Sequence, residues 1–135
     1  MMKLEKEVKI SHEIDVVLRI LSDPSFLIPR IFPNVTSIKV HEDTFDVEGK
    51  LVVTSYHVSG RVFVGSSEIR YVYDSDKGGG VLRINKVNDN TIRITLEHDG
   101  TLLARLGYPA VNSNLNKLEK NLDEEIRLER IKRKI

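Results

Sequence analysis

Hydrophobic and polar residues alternate through most of residues 35–98, and a period of two residues predicts β-strands with one buried face. A similar alternation covers residues 3–10. The six strands predicted after it are residues 35–41, 45–53, 56–64, 69–73, 81–86 and 92–96. Polar turns separate several of them, at residues 42–43, 76–80 and 88–90. Successive hairpins indicate antiparallel pairing, because parallel neighbours need long crossovers.

Apolar residues recur every three or four positions near the C-terminus, which predicts a long helix over residues 109–134. Its apolar stripe consists of Val111, Leu115, Leu118, Leu122 and Ile126. Two shorter helices are predicted after the first strand, with Ser11 as the N-cap of the first. Asp23 and Pro24 end that helix and open the second, which covers residues 25–32. This second helix is apolar nearly all round, so it must be covered on two sides or face a cavity.

The order of elements predicts an α+β fold, with a seven-stranded curved antiparallel sheet gripping a long C-terminal helix and two short helices after the first strand. Leu102, Leu103 and Leu106 are expected to join the sheet to the helix. A chain of 135 residues suits one domain, so we expect a single domain over residues 1–135.

The composition of the chain argues against several classes of function. The chain has 40% hydrophobic and 30% charged residues and a net charge of +1, which argues against a nucleic-acid partner. It has no cysteine, so disulfides and thiolate sites are excluded. We expect a soluble cytoplasmic protein, since neither a signal peptide nor a membrane span is visible. The absence of glutamine and cysteine, with abundant Ile, Glu, Lys and Arg, favours a thermophile.

Several short motifs accompany this order of elements. They are Ser11-x-x-x-x-Val16 leading to Ser22-Asp23-Pro24, Phe32-Pro33-Asn34-Val35 before the second strand, Gly49-Lys50-Leu51, and Thr91-Ile92-Arg93-Ile94. Together they resemble the START-like, or SRPBCC, helix-grip superfamily of birch-pollen-allergen-like lipid carriers and polyketide cyclases. Within it, the chain resembles the carbon-monoxide-dehydrogenase accessory branch, together with small archaeal relatives of unassigned function. Asn34 stands where the superfamily pattern has glycine.

The resemblance implies a cavity between the concave face of the sheet and the C-terminal helix, with the second short helix as a lid. The residues expected to contact a ligand are Phe26, Ile28, Ile31, Phe32, Tyr56, Val58, Val62, Ile69, Tyr71, Tyr73, Leu115 and Leu118. We therefore expect a binding protein for a hydrophobic or amphipathic small molecule such as a lipid or fatty acid, for transport or sensing and without catalysis. The alternatives are a cyclase-like or hydrolase-like enzyme, or an accessory protein for assembly of another enzyme.

Catalytic chemistry is not apparent. His41 and His98 stand beside acidic residues at predicted turns, His57 lies on the outward phase of its strand, and His12 begins a helix. Without an inward histidine or cysteine, a nucleophile has no evident base. We expect no catalytic residue, no metal and no cofactor.

Two cations could lie inside the fold. Lys6 is on the apolar side of the first strand, and Arg83 points inward if Val81 does. If Leu82 and Ile84 face inward instead, which we favour, Arg83 is solvated. Either cation inside could bind a fatty-acid carboxylate, because a buried charge needs a counter-charge.

The end of the long helix offers a partner surface. Leu128, Ile131 and Ile135 lie roughly opposite Leu122, which indicates either scattered apolar residues at a frayed end or a contact with a second copy of the chain. A basic end follows, with Arg127, Arg130, Lys132, Arg133 and Lys134. These cations complement the helix dipole, and anionic lipid headgroups are a second role for them. Any membrane contact is expected to be peripheral.

Overall fold

Seven antiparallel strands form one sheet in the order β1-β7-β6-β5-β4-β3-β2. The computed structural model describes residues 2–100 and 107–135. The strands are β1 (Met2–Lys9), β2 (Val35–His41), β3 (Thr44–Lys50), β4 (Ser55–Val64), β5 (Glu68–Ser75), β6 (Gly79–Asn88) and β7 (Thr91–Asp99). The helices are α1 (Ile14–Leu21), α2 (Pro24–Ile31) and α3 (Tyr108–Arg133). The predicted α+β fold is confirmed, whereas Leu102, Leu103 and Leu106 lie outside the described residues.

The predicted start of α1 is wrong. Ser11 is not its N-cap, because the helix begins at Ile14 and Glu13 holds the cap position without a side-chain hydrogen bond. The Ser11 amide instead donates to Asp123 of α3, at 2.9 Å. Ile10 continues the strand direction by donating from its amide to the Asn90 carbonyl, at 2.9 Å. These two hydrogen bonds keep residues 10 and 11 extended, so the helix begins later than predicted.

The predicted start of α2 is confirmed. Asp23 is its N-cap and accepts a hydrogen bond from the Ser25 amide at 2.9 Å, and Pro24 is the first helical residue. An aspartate cap satisfies a free amide of the first turn, and proline lacks the N–H that would otherwise be unpaired there. The two residues therefore fix where α2 leaves the end of α1.

The five residues of the α3 stripe are all buried, none more than 2% exposed. They join the residues of the sheet's concave face and the apolar sides of α1 and α2 in one hydrophobic cluster. A second contact fastens the last turns of α3, where Arg133 pairs with Asp23 at 2.7 Å and Arg130 pairs with Glu13 at 2.8 Å. The C-terminal end of α3 is thus held to the starts of α1 and α2.

Aromatic rings lie directly over glycines on the concave face. The pairs are Tyr56 over Gly49, Phe45 over Gly60 and Tyr73 over Gly80. A Cβ at Gly60 would lie 2.5 Å from both the Phe45 ring and the Val72 carbonyl oxygen. The inward glycines therefore give large rings room to lie flat against the backbone of a neighbouring strand.

Candidate ligand-binding site

All twelve residues expected to contact a ligand lie within one buried cluster. Val62, at 8%, is the most exposed of them, and Ile28, Ile31, Ile69 and Tyr71 have no exposed surface. The fold therefore brings together residues from α2, β4, β5 and α3, as the sequence predicts. Whether a ligand contacts them stays a prediction.

The rings of this cluster pack against one another. Phe32 meets Tyr73 edge-on with centroids 5.2 Å apart and lies 6.5 Å from Tyr56, and Phe45 lies 5.8 Å from Tyr71. Hollows that open at the surface occur among the described residues. These rings occupy part of the space between the sheet and α3, and a ligand bound there would have to displace some of them.

Two tyrosine hydroxyls of the sheet hold the chain on either side of α2. Tyr71 donates to the carbonyl of Leu21, three residues before α2, and Tyr56 donates to the carbonyl of Pro33, two residues after it. Both distances are 2.5 Å. Burial raises the pKa of both phenols, so they remain protonated donors. A buried hydrogen bond therefore holds the chain on each side of α2.

A second set of contacts fastens α2 to α3. The Asn114 side-chain amide donates to the Ile31 carbonyl at 3.1 Å, and Arg30 pairs with Glu125 at 3.2 Å. Arg30 also lies over the Phe26 ring, 3.7 Å from its centroid. A hollow of about 180 Å³ opens between the two helices, lined by Arg30, Asn114 and Leu118 among others. It is smaller than the roughly 300–1,000 Å³ typical of small-molecule pockets, so it is an entrance at most.

His98 points into the protein, and the expectation that no histidine does so is wrong. β7 runs on to Asp99, so His98 keeps the inward phase of Ile94 and Leu96 and is 1% exposed. Its Nε2 lies 2.9 Å from the Lys77 carbonyl oxygen, and a carbonyl can only accept, so Nε2 carries the proton. Nδ1 then accepts from the Tyr73 hydroxyl at 2.7 Å. The result is a neutral, buried Tyr73–His98 pair.

The two inward-cation candidates differ. Lys6 is half-buried on the same side of β1 as Leu4 and Val8, as expected. Arg83 points outward, since Leu82 and Ile84 have no exposed surface, and it pairs with Glu97 at 2.9 Å. The favoured orientation of Arg83 is therefore confirmed, and only Lys6 remains near the concave face.

The other histidines lie outside the cluster. His57 is on the outer face and pairs with Asp46 at 2.7 Å, His41 is exposed at the end of β2, and His12 contacts the Asp123 carbonyl oxygen of α3. Within residues 2–100 and 107–135, no group of three or more metal-ligating side chains is found. Among those same residues, no helix is long and apolar enough to cross a membrane.

Comparisons with solved structures define the class of fold. The Zhui aromatase/cyclase from Streptomyces sp. R1128 is 12% identical, with a TM-score of 0.60 over 90% of this chain and 95% of that one. A protein from Thermus thermophilus is 16% identical, with a TM-score of 0.70 over 94% of this chain and 98% of that one. At such low identity the likeness shows a shared fold and nothing more.

A nearer relative and a family model show the family to which the chain belongs. A hypothetical protein from Sulfolobus tokodaii is 55% identical, with a TM-score of 0.94 over 98% of this chain and 99% of that one. A family model matches residues 2–135 of the chain. The chain belongs to that family. No curated protein matches the chain.

Proposed function

We propose that the protein binds a hydrophobic or amphipathic small molecule between the concave face of the sheet and α3, and that α2 moves aside to admit it. One observation carries this proposal. α2 has an apolar surface nearly all round, with Phe26, Leu27, Ile28 and Ile31 buried, yet its flanks are held by the two tyrosine hydroxyls and its outer side by the contacts with α3. Outward movement of α2 would expose a continuous apolar surface beneath it.

The tyrosines also suggest what the ligand must carry. If the last residue of α1 moves together with α2, Tyr71 loses the Leu21 carbonyl and Tyr56 loses the Pro33 carbonyl. An unpaired buried hydroxyl is costly, so a ligand with an oxygen acceptor would restore what the backbone no longer provides. We therefore expect an apolar body with a carbonyl, carboxylate or hydroxyl group, which fits a fatty acid or a related lipid.

Native mass spectrometry of gently purified protein, followed by solvent extraction, tests whether it carries such a molecule. The expected result is a mass above that of the chain and a hydrophobic compound in the extract. A fluorescent fatty acid supplied to the stripped protein should then bind at one molecule per chain. If nothing is extracted and the fluorescent acid does not bind, the proposal is contradicted.

Weakening the Arg30–Glu125 ion pair between α2 and α3 tests whether the ligand enters by movement of α2. Arg30→Met removes the pair with Glu125, and the fluorescent acid should enter severalfold faster, since an ion pair of this exposure contributes up to about 1 kcal/mol. Arg19→Met is the matched control, because it removes the same charge from an exposed position on α1 that has no ion pair among the described residues. Equal entry rates in both variants would rule out movement of α2 as the route.

A second candidate function is acid–base catalysis on a hydrophobic substrate, and the Tyr73–His98 pair favours it. Two inward ionisable groups 2.7 Å apart are what a cyclase-like or hydrolase-like enzyme would use. Hydrolysis of a chromogenic fatty-acyl ester tests this candidate. Turnover that His98→Asn abolishes would support it, and a rate no faster than buffer alone would contradict it.

A further inference from the structure

The side of α3 that faces away from the sheet combines cations with exposed apolar residues. Lys117, Lys120, Leu128 and Ile131 recur at intervals of three, eight and three along the helix, and Lys132 follows Leu128 by four. At 100° per residue these positions share one face. We call these five residues the α3 outer face. Leu128 is 52% exposed and Ile131 63%, and all three lysines are exposed.

The charge of this face is one-sided. Glu124 is the acidic residue on it, and Arg127 neutralises that carboxylate through contacts of 2.6 and 2.8 Å. The ion pairs of the described residues include none of the three lysines. A net positive face with two large aliphatic side chains towards its C-terminal end has the composition of a surface that lies on an anionic bilayer.

The face is also held in a fixed orientation. Arg130 and Arg133 project from the other side of α3 and pair with Glu13 and Asp23, so the last turns of the helix cannot rotate freely. Ile135, just beyond the helix, is 40% exposed and its amide donates to the Arg130 carbonyl. The apolar residues are therefore presented outward by a rigid helix end.

We propose that the α3 outer face docks the protein on a membrane rich in anionic lipid. A second copy of the chain is the competing occupant, through Leu128, Ile131 and Ile135. A symmetric contact would bring the lysines of both copies into one interface, where they repel. A few half-exposed side chains also fall short of the roughly 800 Å² per partner that a stable dimer buries. This proposal goes beyond ligand binding and does not depend on it.

Sedimentation with phosphatidylcholine vesicles, with and without phosphatidylserine, tests the proposal on the full chain. Binding should require phosphatidylserine and weaken as sodium chloride is raised. The triple variant Lys117→Gln, Lys120→Gln, Lys132→Gln should lose affinity by about fivefold for each lysine removed. Leu128→Ser with Ile131→Ser should lose about tenfold or more without changing the net charge.

The matched control removes three exposed lysines from the sheet, by Lys3→Gln, Lys9→Gln and Lys39→Gln. It has the same net charge as the helix variant and should bind vesicles far better than that variant does. Equal loss in both would show that only overall charge matters and would overturn the proposal. So would a failure of the unmodified chain to bind, or sedimentation equilibrium showing a dimer that Leu128→Ser with Ile131→Ser dissociates. Thermal unfolding of each variant confirms that it is folded.

Discussion

The chemistry of His98 depends on its burial. Desolvation lowers the pKa of this imidazole below its ordinary value of 6.5, while the hydrogen bond to the Lys77 carbonyl and the charge of Asp99 act in the opposite direction. The neutral ring accepts from Tyr73 and donates to Lys77, so both of its nitrogens are used. Protonation would turn Nδ1 into a donor facing the Tyr73 hydroxyl and would require that hydroxyl to reorient.

The stability of the fold should therefore depend on pH through His98. Below pH 6.5 the unfolded chain takes up a proton that the folded chain resists, so the free energy of unfolding falls as the pH drops through 6.5 towards the lower folded pKa. Urea unfolding at about pH 7.5 and about pH 5 measures this change. His98→Asn should remove part of the decrease. An equal decrease in the variant would show that other groups cause it.

His98 also shows why some inward residues escape a reading of the sequence. The alternation of Ile92, Ile94 and Leu96 continues to His98, but the polar run from Glu97 to Gly100 resembles a turn. The strand persists because Gly79 and Gly80 of β6 pair with Asp99 and His98. The length of β7 is therefore set by its pairing with β6, which overrides the local polarity of the sequence.

Among the elements, α2 depends on bonds from other parts of the fold for its position. Its buried residues are apolar, but the specific bonds that position it come from side chains of other elements, namely Tyr56, Tyr71, Asn114 and Glu125. The sequence predicted the helix and its Asp23 cap because those signals are local. It did not predict the hydrogen bonds from Tyr56 and Tyr71, because their backbone acceptors lie 23 and 50 residues away from those tyrosines along the chain.

Removing one of these two hydroxyls should loosen α2 while leaving the sheet intact. Tyr71→Phe leaves the Leu21 carbonyl without a buried donor, which costs about 1–3 kcal/mol. Amide hydrogen exchange followed by mass spectrometry should show faster exchange in α2 than in β5–β7. Tyr108→Phe is the control, since Tyr108 is 40% exposed at the start of α3. If α2 exchanges equally in both variants, the hydroxyl does not hold it.

At the scale of the whole molecule, the two faces of the sheet contribute differently. The concave face is apolar and buried, whereas the outer face carries one arginine on each of four neighbouring strands, paired with acids of the same or adjoining segments. The pairs are Arg61–Asp43, Arg70–Glu68, Arg83–Glu97, and Arg93 with both Glu5 and Glu7. The last of these fastens the edge strand β1 to β7.

These ion pairs should matter more for heat resistance than for stability at room temperature. The cost of desolvating charged groups falls as temperature rises, so networks of ion pairs contribute more to stability at high temperature. Arg83→Met should lower the free energy of unfolding by less than about 1 kcal/mol at 25 °C. The melting temperature of the unmodified chain should fall as sodium chloride screens the pairs, and Arg83→Met should reduce that fall.

Arg19→Met is the control, because Arg19 is exposed on α1 and has no ion pair among the described residues. If it reduces the salt effect as much as Arg83→Met does, the effect reflects total charge and the outer-face pairs do not set the heat resistance.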